Sequence, residues 1–204
     1  TATNNFQGAV GITGANVSVV DAGAIVLGAS TVSGTYAVTA TAGGDITDTG
    51  VLAISGTSAL TAADGQSIIL DESSTFATVA FVASSGNLKN VEIKDSNAFD
   101  LSALTLAKVG GAGGDLTVIA GGAVTNSGSM VIPGAATISA SGQAVTLDDS
   151  SNDFGTLAIT GANVAIIDTN AIILGAATVS GTYSVTADGA ITNSGTQEIT
   201  GVTT

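Results

Sequence analysis

Cysteine, histidine, tryptophan and arginine are all absent from this chain of 204 residues, and its only cationic side chains are Lys89, Lys94 and Lys108. Each absence removes a class of chemistry. Without histidine there is no partner to activate a serine or cysteine nucleophile. Without cysteine and histidine the usual zinc sites cannot form. Phosphate cradles place lysine or arginine behind a glycine loop, and no such G-x-x-x-x-G-K run occurs. A formal charge of −13 opposes nucleic acid and anionic membrane surfaces, both of which are bound through lysine and arginine. The lack of disulfides names no redox compartment, but it suits an exported protein that never relied on them.

Long apolar runs are missing too. No stretch reaches the ~18–20 residues of a membrane helix. TATNNFQGAV at the start has neither a basic segment nor an apolar leader. It also lacks Met, so the expectation is a mature product or a piece of a longer chain. Aromatics make up only 3% of residues although 45% are apolar, so the core has to be built from Val, Ile, Leu and Ala.

What is present is repetition. GANVSVVDAGAIVLGASTVSGTY (Gly14 to Tyr36) returns as GANVAIIDTNAIILGAATVSGTY (Gly161 to Tyr183), 147 residues later. A third, worn copy lies between them, because NVSVVD, NVEIKD and NVAIID end at Asp21, Asp95 and Asp168. A second marker reads DITDTG (Asp45 to Gly50), AVTNSG (Ala123 to Gly128) and AITNSG (Ala190 to Gly195). A third reads GQSIILDESSTF (Gly65 to Phe76) and GQAVTLDDSSNDF (Gly142 to Phe154). The unit is about 74 residues long, and the chain holds about two and two-thirds copies, over 4–75, 76–151 and 152–204. Self-similarity of this kind is the signature of a stacked repeat.

The finer rhythm is that of short strands. Leu157, Val164, Ile172 and Val179 lie seven or eight residues apart with Gly, Asn, Asp or Ser-Gly between them. Leu157 and Ile159 flank Ala158, Val164 and Ile166 flank Ala165, and Tyr183 and Val185 flank Ser184. Such period-two triplets between turn residues predict strands, and no window carries helical spacing. Three strands per coil of roughly 22 to 25 residues give about eight or nine coils of a parallel β-helix, a rod on the order of 40 Å long. One unit then makes about three coils. A string of sandwich domains is the competing architecture; the missing linkers, the single Pro133 and the lack of an aromatic anchor argue against it. Val19→Ile166, Val20→Ile167 and Val26→Ile173 are expected to be inward swaps of one methylene. Ser18→Ala165, Ala22→Thr169 and Gly23→Asn170 are expected to face water.

Candidate sites are few. GGAGGD (Gly110 to Asp115) fits the opening of a calcium-binding nonapeptide, but it has no second copy and reads as a glycine loop inserted between coils. Asp71-Glu72 and Asp148-Asp149-Asp153, with Ser73, Ser74, Ser150 and Ser151, form acidic corners that offer oxygen to calcium. They read first as solvated turns, about 14 Å apart for three coils, and the same spacing keeps Asp21, Asp95 and Asp168 from forming a cluster. Paired carboxylates hydrolyse glycosides in some β-helices. Here no basic partner or aromatic platform accompanies them, and Phe6, Phe76 and Phe154 recur as core positions. The TAT triplets at Thr1–Thr3 and Thr39–Thr41 resemble the T-x-T of ice-binding solenoids but are sporadic. The segment from Phe76 to Gly114 departs most from the repeat. It holds all three lysines with Glu92, Asp95 and Asp100, as drift or as a partner surface. No catalytic, cofactor or metal residue is assigned.

The phrases NDFGTLAITGANVAIIDTNAIILGAATVSG, SVTADGAITNSG and GQAVTLDDSSNDF resemble the repeats of long bacterial surface or secreted proteins of the filamentous-haemagglutinin-like, β-strand-repeat type. The resemblance implies a right-handed parallel β-helix, export from a Gram-negative bacterium, and a place in adhesion, biofilm matrix or cell-surface fibres. The expected function is thus a non-catalytic structural or adhesive segment, with no cofactor, that self-associates end to end or side by side. The alternative is a module that binds calcium, ice or glycan on one flat face.

Overall fold

The computed structural model describes residues 4–204; the Thr1–Thr3 triplet lies outside them. Among the described residues there is no helix, and hence none long and apolar enough to cross a membrane. Every named strand pair is parallel, and the strands stack as a β-solenoid of about nine turns. The chain divides into two compact units, ending at Ser96 and beginning at Asn97.

In the first unit three columns of strands are built from successive turns. Val17–Asp21 lies on Tyr36–Ala40, which lies on the Ser58 end of Leu52–Ala62, which lies on the Val79 end of Ile68–Ala83. Ile25–Leu27, Ile46–Asp48, the start of Ile68–Ala83 and Val91–Asp95 form a second column. Thr13–Gly14, Ser30–Val32 and the first residues of Leu52–Ala62 begin the third. Leu52–Ala62 and Ile68–Ala83 are long because each runs round a corner, and the register shifts between Ile54 and Thr57 mark the bend. In the second unit Phe99–Leu101, Val124–Asn126, Val145–Leu147, Val164–Asp168 and Tyr183–Ala187 form one five-stranded column.

Register gives the turn length. Val17, Tyr36, Ser58 and Val79 are 19, 22 and 21 residues apart, and Ile25, Ile46, Ile68 and Val91 are 21, 22 and 23 apart. The turn is therefore shorter than the 22 to 25 residues expected, at about 21. Corners of two or three residues, at 22–24, 28–29, 33–35 and 49–51, keep it short against others of five at 41–45 and 63–67. Val91, the sequence equivalent of Val17, lies one column further round and three turns on (Val17 to Ile25, then Ile46, Ile68 and Val91), so the 74-residue unit is about three and a third turns and not three. Accordingly Asp21 and Asp95, equivalent in sequence, end strands in different columns of the first unit.

The core is aliphatic, as the composition requires. Ile25, Leu27, Ile46, Leu52, Leu60, Ile68 and Leu70 are fully buried in the first unit. Leu157, Val164, Ile172 and Val179 are buried in the second. Strand alternation corrects two of the inward swaps. Val19 and Ile166 point inward, but Val20 and Ile167 are half-buried, and Ile173 is 41% exposed beside buried Ile172 and Leu174. Successive side chains of a strand leave on opposite faces, so three adjacent apolar residues cannot all face one core. Of the other three pairs, Ser18, Thr169 and Asn170 are exposed, and Ala165, Ala22 and Gly23 are half-buried. Phe76 and Phe154 are buried; Phe6 is 39% exposed, because no described strand stacks on its outer side.

Candidate functional site

The aspartates that recur most regularly are buried: Asp21, Asp95 and Asp168 are each no more than 1% exposed. Their carboxylates are held by main-chain amides. The Phe6 N–H donates to Asp21 Oδ2 at 2.7 Å, the Phe76 N–H to Asp95 Oδ2 at 3.2 Å, and the Phe154 N–H to Asp168 Oδ2 at 2.7 Å. Gly23 and Asn170 N–H donate to the other oxygen of Asp21 and Asp168 at 2.7 and 3.0 Å. At a corner the ladder between turns is interrupted, and a buried N–H left without a partner costs about 1–3 kcal/mol. The aspartate closes that gap, and the repeated Phe and Asp form one structural device, 14 to 19 residues apart in sequence.

The GAN and SGTY phrases at the ends of the long repeat are a second device. Asn16 Oδ1 accepts from both the N–H and the hydroxyl of Thr35, at 3.0 and 3.2 Å; Asn163 Oδ1 does the same with Thr182, at 3.0 and 3.1 Å. A Cβ on Gly34 or Gly181 would lie 2.3 Å from that asparagine oxygen. The glycine of SGTY therefore follows from the asparagine of GAN. Ser74 and Asn152 act in the same way at other corners. Ser74 Oγ accepts from Leu52 N–H at 2.9 Å and Asn152 Oδ1 from Met130 N–H at 2.9 Å. The sequence offered Ser74 only as an oxygen for calcium and did not mark Asn16, Asn152 or Asn163, although the joint recurrence of GAN and SGTY carried the signal.

The calcium candidates resolve into a glycine loop and strand corners. Gly110, Gly111, Gly113 and Gly114 all have positive φ, and Val109 and Ala112 pair across the loop. This loop makes the turn from Phe99 to Val124 25 residues long. Asp115 Oδ1 accepts from Ala135 N–H at 2.8 Å. Asp71, Glu72 and Asp148 are exposed, Asp149 and Asp153 are half-buried, and Asp149 Oδ1 accepts from Ser151 N–H at 2.8 Å. Among the described residues no group of three His, Cys, Asp or Glu stands together as a metal site. Of the Thr39–Thr41 triplet, Thr41 donates its N–H and hydroxyl to Asp21 O, so it serves a corner and not a face.

Within Phe76 to Gly114, Phe76, Phe81 and Phe99 are buried, and exposed Asp100 accepts from the hydroxyls of Thr125 and Ser127 at 2.7 and 2.5 Å. Two concave surfaces are poor in ionisable groups. An apolar hollow of about 390 Å³ in the second unit is lined by Leu174, Tyr183, Val185, Ile191 and Ile199 with Gln197. A shallower groove of about 250 Å³ in the first unit is lined by Thr31, Ser33, Ala53, Ile54, Ser55 and Thr75. Tyr183 is the one ionisable side chain in either lining, and burial pushes its phenol above the usual range.

A family of repeats of unknown function, DUF5649, matches residues 14–83, 88–160 and 161–204. The chain belongs to this family. The first and third DUF5649 repeats open on Gly14 and Gly161, the glycines of the two GAN phrases, so the device described above sits at the head of each. No curated protein and no solved structure matches the chain.

Proposed function

We propose that the chain is a non-catalytic structural or adhesive segment of a bacterial surface fibre, filament or matrix protein, working outside the cell. One observation carries this reading: the recurrent ionisable groups Asp21, Asp95 and Asp168 are buried against main-chain amides, so what the repeat preserves is a scaffold and not a reacting site. Two further observations support it. Neither concave surface brings together an acid, a base and a nucleophile. The likeness to filamentous-haemagglutinin-like repeats points to export and adhesion.

The alternative, a module for calcium, ice or glycan, is tested by ligand linkage. A ligand that binds only the folded chain raises its melting temperature. Thermal unfolding in millimolar calcium and in excess chelator is expected to give the same midpoint; a clear fall on chelation would overturn the structural reading in favour of a calcium module. As a fibre component, the chain is expected to form concentration-dependent assemblies in sedimentation velocity, end to end or side by side. A single monomeric species up to the highest soluble concentration would overturn the self-association.

A further inference from the structure

The DITDTG marker changes one chemical group between its copies. Asp48, Asn126 and Asn193 each close a three-residue strand, Ile46–Asp48, Val124–Asn126 and Ile191–Asn193. In the last two the side-chain amide reaches the main-chain oxygen two residues on. Asn126 Nδ2 donates to Gly128 O at 3.0 Å and to Asn152 Oδ1 at 2.9 Å, and Asn193 Nδ2 donates to Gly195 O at 3.4 Å. Asp48 brings a second oxygen where the asparagines bring a donor. Its Oδ1 accepts from Asp71 N–H at 3.0 Å. Its Oδ2 is buried and makes no hydrogen bond, and the residue is only 6% exposed.

The surroundings favour the neutral acid. The strand on one side, Ile25–Leu27, has no ionisable group; the strand on the other, Ile68–Ala83, brings Asp71 and Glu72, both acids. Burial is the largest influence. It outweighs the N–H groups of Asp71 and Glu72, and with the negative charge of Asp71 it pushes the Asp48 carboxyl up to about 6.

We propose that Asp48 is a proton-operated latch of the first unit: neutral, its Oδ2–H donates to Gly50 O as the asparagine amides do at the sister positions, and ionised, it faces Asp71 and loosens the seam between Ile46–Asp48 and Ile68–Ala83. A carboxyl that binds its proton more tightly folded than unfolded contributes stability in full below its unfolded value near 3.8, and loses it as pH rises through about 6. The seam is therefore tighter in mildly acidic solution than at neutrality.

Two measurements on the whole chain test this. The carboxyl ¹³C resonance of Asp48 is expected to titrate near pH 6. Exchange of the Asp71 and Glu72 amides, corrected for intrinsic base catalysis, is expected to be about tenfold more protected at acid than at neutral pH. Asp48→Asn is expected to hold the acid level of protection at both pH values. Titration of Asp48 near 4, or pH-dependent protection that persists unchanged in Asp48→Asn, would overturn the latch. If Asp48→Asn does not fold, the titration in the native chain decides alone.

Discussion

Replacing Asp168 with alanine is expected to lower stability by about 2–5 kcal/mol, because it leaves two main-chain N–H groups, those of Phe154 and Asn170, without their acceptor. The carboxylate is 1% exposed, so water has little access to the vacated place. Phe154 itself is fully buried, and movement of its backbone toward solvent would open the core beside it. The urea midpoint of the chain measures the loss. A change under about 0.5 kcal/mol, typical of an ordinary surface position, would mean that the corner finds other partners. Asp21→Ala removes acceptors at the matching 2.7 Å bonds, but its phenylalanine is partly exposed, so the smaller loss is expected there.

Gly181→Ala is the second large effect, on the order of 2–3 kcal/mol. The added methyl would sit 2.3 Å from Asn163 Oδ1 and 2.9 Å from Ala162 O. The asparagine can swing away only by releasing the N–H and hydroxyl of Thr182. The conflict is steric and has a specific partner, so it should show in a double-mutant cycle. Asn163→Ala alone loses the two bonds, and Gly181→Ala on that background should cost clearly less than it does alone. Additive losses in denaturant unfolding would show that the Ala162 carbonyl, and not the asparagine, forbids the side chain.

Both predictions rest on side chains whose role was hard to see in the sequence. The strand rhythm was legible, since alternation at Leu157, Val164, Ile172 and Val179 reports burial directly. The core face was read less well, because aliphatic swaps such as Val26→Ile173 occur on both faces: β-branched residues suit an exposed strand as well as a buried one. Asp21, Asp95 and Asp168 were legible as a recurrence but not as a function, because each bonds to an amide in another turn and no local pattern records that partner. The same holds for Asp48, whose oddity appears only when its unpartnered oxygen is set beside the amide of Asn126. Turn length was overestimated because corners run from two to five residues and no local pattern fixes them, and the error carried over into the number of turns per unit.

That fractional number has a consequence for how such chains grow. Copying one 74-residue unit moves whatever follows it one column round a three-column stack, so two copies still leave it out of phase and three bring it back. Recombination that inserts single units would scramble which side chains line up along a flank, so length polymorphism that keeps a flank intact has to proceed in threes.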